Sequence, residues 1–336
     1  MLYKKKMKKI INNADNFVME SIEGLVLSYP ETYKFSNITK KVLTRTNKAS
    51  NKVGLVSGGG SGHLPLFTGY IGEGLLDSCA IGNVFASPSV DDISSAIKEA
   101  NLGKGVLCIY GNYGGDVMNF DMASEMLEME NIKVESIIVA DDVASASKEE
   151  KEKRRGVTGM LYVYKIAGAM AETGASFDEV KRIAIKTNEN IRTMGIALTP
   201  TILPQAGKPT FEIADDEMEI GMGIHGEPGI RRGKLKSADE ITNELSDKIL
   251  DDINLSSGDE ISVLINSLGA TPHEELFITA NKLNKILKEK NIINKKSYVG
   301  RYATSMEMAG MSITILKLDN ELEKLLLEKA SCPFWF

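Results

Sequence analysis

Two of the three histidines in the chain stand in glycine-rich segments. His225 lies in Gly221-Met222-Gly223-Ile224-His225-Gly226-Glu227-Pro228-Gly229, and His63 in Ser57-Gly58-Gly59-Gly60-Ser61-Gly62-His63-Leu64-Pro65. Glycine admits positive φ and close approach to the main chain, and proline stiffens the exit. Such a mounting suits a nucleophile, a base or a ligand. A turn with an exposed, idle histidine is the competing reading, because one imidazole is weak evidence. The second glycine-flanked histidine shifts the balance toward function. A third group, Asp116, closes Gly111-Asn112-Tyr113-Gly114-Gly115-Asp116. Two chemistries fit His63, Asp116 and His225. In residue type they match a two-histidine, one-carboxylate metal site, but no pair has the local spacing of a metal motif. Alternatively, a neutral imidazole adds to a ketone or aldehyde as a hemiaminal. His63 and Asp116 then bond the hydroxyls of a small sugar, and glycine-loop amides hold its oxygens. The glycine segment is neither Walker A nor a Gly-x-Gly-x-x-Gly turn opening a helix, so no nucleotide site is expected there.

The elements that must position these groups follow an α/β pattern. An opening helix is expected over 11–29 and a strand over Val53–Val56 running into the Gly58–Gly62 loop. A helix over Asp91–Ala100, a strand over Gly105–Tyr110, a helix over Met122–Glu130 and a strand over Val134–Ala140 come next. Strands ending in polar loops with helices between them predict a doubly wound, mainly parallel sheet. Its strand ends converge on one cleft. Asp141 and Asp142 read as helix-cap residues. Arg154 and Arg155 precede a helix over Val157–Glu172 and fit either solvated side chains or an anion or partner contact. A helix over Phe177–Met194 precedes a short strand, Ile196–Thr199. The boundary near Gly195 gives domains 1–194 and 195–336, the second a smaller α/β unit with a mixed sheet. In that unit Asp215–Ile220 reads as an exposed-edge strand leading to His225. A helix over Ala238–Ile253 and strands over Ile261–Asn266, Ser297–Tyr302 and Ser312–Leu318 complete it. His273 reads as a surface residue near a helix start. The closing Cys332-Pro333-Phe334-Trp335-Phe336 is too apolar to hang free and is expected to pack on the body or on a second subunit.

The 336 residues are 43% hydrophobic and 26% charged, with a net charge of −6. That is a globular composition, without the basic block expected of a nucleic-acid binder. Lys4-Lys5-Lys6 lacks a following apolar run and reads as a solvated end. No stretch has the length of a membrane span. Cys79, Cys108 and Cys332 form no metal motif, and the first two lie in apolar runs as core thiols. The chain reads as cytoplasmic.

Taken together, Ser-Gly-Gly-Gly-Ser-Gly-His63, Asn112-Tyr113 through Asp116-Val117-Met118-Asn119-Phe120, Arg154-Arg155-Gly156, Gly-Ile-His225-Gly-Glu-Pro-Gly and Leu268-Gly269-Ala270-Thr271-Pro272 resemble the dihydroxyacetone-binding subunit of dihydroxyacetone kinase, the DhaK family. The resemblance covers nearly the whole chain. It implies two α/β domains and a homodimer, with dihydroxyacetone or a similar short ketose held as a hemiaminal on His225. It implies that His63 and Asp116 act on the substrate hydroxyl, with Gly60, Ser61 and Gly62 in the substrate loop. It also implies no nucleotide on this chain, ADP or ATP being carried by a separate DhaL-type subunit that DhaM rephosphorylates. Three positions depart from the family pattern: Leu64 stands for a glutamate, Gly111 for a lysine and Gly114 for a threonine. The lysine is a polar substrate contact that glycine cannot replace. These losses favour a ligand-sensing, DhaQ-like coactivator that works with a TetR-type regulator. The alternative is a working kinase subunit for dihydroxyacetone or a tetrulose.

Overall fold

The computed structural model describes residues 8–47 and 50–335. Lys4-Lys5-Lys6 and the final Phe336 lie outside the described residues. The first helix, α1 (Phe17–Ser28), is preceded by one 3-10 turn. The first sheet contains β1 (Tyr33–Phe35), β2 (Val42–Arg45), β3 (Lys52–Ser61), β4 (Ser78–Val84), β5 (Gly103–Gly111) and β6 (Val134–Val139), in the order β1-β2-β4-β3-β5-β6. The strands β4, β3, β5 and β6 run parallel, while β1 and β2 add on antiparallel. The helices α2 (Val90–Ala100) and α3 (Gly114–Glu128) cover one face. Alternation explains the two faces: Val56, Ala80, Val106, Cys108 and Tyr110 meet α2 and α3, while Leu55, Cys79, Leu107 and Ile109 turn the other way.

On that other side lies α4 (Met160–Glu172), followed by α5 (Phe177–Glu189). Nearly every residue of α4 is buried, as a helix apolar on all sides must be. It sits between two sheets. Tyr164 hydroxyl bonds Ser57 of β3 at 2.8 Å, and Tyr162 hydroxyl bonds Ser262 of the second sheet at 2.8 Å. The second sheet is built from β7 (Ile191–Ala197), β8 (Glu217–Ile220), β9 (Arg231–Lys234), β10 (Glu260–Ser267), β11 (Ile293–Gly300) and β12 (Gly310–Lys317), ordered β11-β10-β12-β7-β8-β9. It is mixed, with only the β10–β11 pair parallel. The helices α6 (Ala238–Ile253) and α7 (His273–Glu289) pack on its outer face, and α8 (Asn320–Leu327) packs on α4.

Four expectations change. The helix expected to reach Met194 stops at Glu189, and the chain enters β7 at Ile191 rather than Ile196. The β-branched Ile191, Thr193 and Ile196, on a strand paired with β12, outweigh helical continuation. Second, β8 is not an edge strand: it pairs with β7 and β9, and Met218, Glu219 and Ile220 are buried. Glu219 reads as solvated in the sequence, but it is buried and paired with Arg232 of β9 at 2.8 Å. Third, Gly58, Gly59 and Gly60 belong to β3 itself. A Cβ on Gly59 would stand 2.3 Å from the Phe67 ring, and one on Gly60 2.6 Å from the Ala86 nitrogen. Their first task is therefore close packing. Fourth, Arg154 is neither solvated nor free for a partner. It is 2% exposed and makes a two-pronged bond to Asp252 of α6, at 3.0 and 2.6 Å.

Other expectations hold. The structural role of Asp141 and Asp142 is kept, though neither caps a helix: Asp141 accepts from the Val157 and Gly159 amides at 2.8 and 2.7 Å in the turn before α4, and Asp142 accepts from the Ala144 amide at 3.0 Å. His273 is exposed at the start of α7. Cys79 and Cys108 are buried free thiols, and burial pushes both up. In the terminal segment Trp335 packs on Tyr298, ring centroids 4.9 Å apart, so it seats on the body of the same chain. Among the described residues no helix is long and apolar enough to cross a membrane.

Candidate functional site

The carboxyl ends of β4, β3, β5 and β6 share one edge, the usual place for a ligand in such a sheet. His63 follows β3 by two residues. Its Nδ1 lies 2.7 Å from the Thr304 carbonyl oxygen. A carbonyl only accepts, so Nδ1 carries the proton and the lone pair sits on Nε2. That Nε2 is buried and has no hydrogen-bond partner among the described residues. The ring stacks on Phe85, centroids 4.8 Å apart at 14°. Burial, and then the neighbouring His225, lower its pKa to about 3, so the ring is neutral at physiological pH.

His225 reaches the same place from the second sheet. Its ring stands edge-on to His63 and to Tyr113, each at 4.7 Å, and to Phe85 at 5.3 Å. The Nδ1 lies 2.8 Å from Glu227 Oε1, and the His225 amide donates to Glu227 Oε2 at 2.9 Å. Burial works to raise the Glu227 carboxyl, but the His225 hydrogen bond and charge outweigh it and hold the group at about 2. The carboxylate therefore takes the Nδ1 proton as its hydrogen bond and leaves the lone pair on Nε2. Gly223 permits this fold-back, since a Cβ there would stand 2.1 Å from Glu227 Oε2. Arg155 braces the loop from below, donating to the Gly221 carbonyl at 2.8 Å and pairing with Asp142 at 2.7 Å. Neither a solvated side chain nor an outside contact, Arg155 is an internal brace.

Asp116 lies in the first turn of α3, which starts at Gly114 rather than near Met122. It is 6% exposed and its Oδ1 is buried without a partner among the described residues. Burial raises the carboxyl, opposed by the Ser87 hydroxyl and by the charge of His225. The Tyr113 hydroxyl is likewise buried and unpartnered. Pairing of β3 with β5 ends at Val56. Beyond it β3 pairs only with β4, through Ser61. The β5-facing edge of Gly60 and Ser61 is thus free of strand partners, and Gly62 turns the chain toward His63 at φ +107°.

The three predicted groups therefore converge. Glu227, Phe85, Tyr113 and Thr304 were not singled out by sequence reasoning. Glu227 had a signal, two positions beyond His225 in the same motif. Phe85 follows a strand on the same edge, and Thr304 arrives through the second unit, so neither had a local sign. The departures sort differently. A Cβ at Gly114 meets nothing within 4 Å, whereas one at Gly111 meets the Tyr113 ring at 3.1 Å. Leu64 borders a cavity of about 230 Å³ that adjoins the site, since Gly60, Ser61, Gly62 and His63 line it too, with Phe67 and Met306. Neither His225 nor Asp116 lines it. Among the described residues no three His, Cys, Asp or Glu side chains are grouped to hold a metal ion.

One pH effect follows from His63. Below about pH 6.5 an unfolded chain protonates this ring, but the folded protein refuses the proton until about pH 3. Stability is therefore expected to fall as pH drops through that window. Denaturant titrations of wild type and His63→Asn from pH 7 to about pH 4 check this: the variant is expected to lose stability less steeply. Equal slopes would refute the assignment.

The comparisons with known proteins show the family. The chain is 46% identical to the dihydroxyacetone-binding subunit DhaK of the PTS-dependent dihydroxyacetone kinase 1 of Listeria innocua, covering 94% of this chain and 95% of that one. A solved structure of the dihydroxyacetone kinase operon co-activator DhaQ superposes with a TM-score of 0.86 at 33% identity, covering 93% of this chain and 96% of the other. The C. freundii dihydroxyacetone kinase, solved with AMP-PNP and Mg2+, matches with a TM-score of 0.88 at 32% identity, over 98% of this chain but 60% of the kinase. With residues 23–334 matching the Dak1 domain, the chain belongs to the Dak1 family, among the dihydroxyacetone-binding DhaK proteins.

Proposed function

We propose that the protein captures dihydroxyacetone on His225 and presents a terminal hydroxyl of the bound triose to a phosphoryl donor carried by a separate chain. The observation that carries this is the pair of orphaned acceptors beside the nucleophile, His63 Nε2 and Asp116 Oδ1. A site that only captured a ketone needs His225 and Glu227. Two buried acceptors without partners cost stability and are repaid when a substrate hydroxyl donates to them.

In the capture step the His225 Nε2 lone pair attacks the carbonyl carbon. An N–C bond forms and the C–O π bond breaks. The oxygen takes a proton from solvent and becomes a hydroxyl. The ring keeps its Nδ1 proton, and its positive charge is balanced by the Glu227 carboxylate. A polyol offers no such carbon, so capture discriminates by chemistry rather than by fit. In the transfer step the terminal hydroxyl oxygen attacks the donor's terminal phosphorus. An O–P bond forms as the bond from that phosphorus to the donor's bridging oxygen breaks, the dephosphorylated donor leaves with that electron pair, and the hydroxyl proton passes to Asp116. Its raised carboxyl makes it the better base, while His63, with a pKa of about 3, holds a proton poorly. His63 Nε2 then accepts a hydrogen bond and orients the hydroxyl. In this scheme the donor nucleotide belongs to a partner subunit.

Gly111 favours a second reading, since it stands where the family pattern has a polar lysine contact. A DhaQ-like sensor would use capture alone to signal to a TetR-type regulator. One experiment separates the two. The protein is given dihydroxyacetone and the remaining phosphorylated subunits of the Listeria innocua kinase. Triose phosphate formed at roughly 1 s⁻¹ or faster supports the kinase subunit. An adduct without turnover leaves the sensor.

A further inference from the structure

The helix that carries Asp116 also carries an exposed apolar stripe that no element among the described residues covers. Met118, Met122 and Met126 on α3, with Met129 just beyond it, are 58, 49, 44 and 79% exposed. Spacings of four, four and three residues place them on one face, a run of roughly 16 Å at helical rise. The α3 residues that seal the core are others: Phe120, Ala123 and Leu127. The stripe begins one turn from Gly114 and Gly115, both exposed at the site end of the helix. An acidic border of Asp121, Glu125 and Glu128, all exposed, runs along one side of it.

We propose that this methionine face docks the protein that donates the phosphoryl group, through an apolar surface flanked by lysine or arginine. The proposal rests on the phosphoryl-transfer reading and adds the surface that serves it. Three observations select the occupant. The stripe is continuous with the mouth of the site, where a donor must reach a triose held between His225 and Asp116. Methionine is flexible and polarizable, suited to a partner that docks and leaves. A second copy of this chain would bring the same acidic border against itself, a like-charge contact that disfavours pairing.

The test uses the full-length protein, dihydroxyacetone and the phosphorylated partner subunits of the Listeria innocua kinase. The variants are the Met118→Glu/Met122→Glu double, the matching double leucine variant, and Phe277→Glu on the distant α7 as a control. The glutamate pair is expected to raise the KM for the donor subunit at least tenfold, leaving the triose adduct unchanged by NMR. The leucine pair and Phe277→Glu are expected to keep the wild-type KM. An unchanged KM in the glutamate pair overturns the docking face and leaves the kinase reading standing. Wild-type protein that forms the adduct but never turns over ends the kinase reading and this inference with it. A change in the molecular mass of the chain alone, by light scattering of the glutamate pair, assigns the face to self-association and also overturns it.

Discussion

His225→Ala protein is expected to form no covalent complex with dihydroxyacetone, and to lose phosphoryl transfer with it. The readout is the central carbon of 2-13C-labelled dihydroxyacetone, which moves from the ketone to the tetrahedral region of the spectrum when bound. Wild type shows the new resonance; the variant does not. The effect is complete because this site holds no other nucleophile of the right form. The His63 ring also has its lone pair on Nε2, yet burial holds its pKa at about 3, and so weak a base makes a weak nucleophile. His225 instead has Glu227 at 2.8 Å to balance the charge that develops on attack. The side chain of His225 is 22% exposed and packs against His63, Tyr113 and Phe85, so the melting temperature of the variant is measured beside the spectrum to show that it is folded. A tetrahedral resonance that persists in the alanine variant would move the nucleophile elsewhere and dismantle the mechanism.

Asp116→Asn separates the two chemical steps. Its adduct resonance is expected to match wild type, while the rate of phosphoryl transfer falls by roughly 10²–10⁴, the usual contribution of a general base. The amide keeps the shape of the carboxyl and cannot take the proton. His63→Asn is expected to cost less, because His63 only accepts a hydrogen bond in this scheme. Rapid-quench assays of triose phosphate with saturating donor subunit give both rates. If His63→Asn proves the more damaging, the two roles are exchanged. If neither changes the rate, these acceptors take no part in transfer.

Much of this site was legible in the sequence because it rests on local chemistry. Glycines beside His63 and His225, and an aspartate after an apolar strand, are signals carried by neighbouring residues. The helix Ala238–Ile253 was equally legible, since Ser237 and Glu240 form a capping box at its start. Errors came where a local pattern met a tertiary demand. The triple glycine reads as a loop by composition, yet Phe67 and Ala86 crowd β3 and make glycine a requirement of the strand. The acidic β8 reads as an edge because Glu219 looks solvated, and only β9 supplies the Arg232 that buries it.

The amino-acid order alone determined which side chains were candidates to react, the alternation of strands and helices, and the family. It could not determine which nitrogen of either imidazole is free. The Thr304 carbonyl settles that for His63 across 241 positions of chain, and Glu227 settles it for His225 only once Gly223 lets the loop fold back. Nor could it tell that Arg154 and Arg155 face inward, since Asp252 and the Gly221 carbonyl reach them from the second unit. A proton's position and a charge's partner depend on atoms within about 3 Å, and such neighbours are assigned by packing, not by sequence distance.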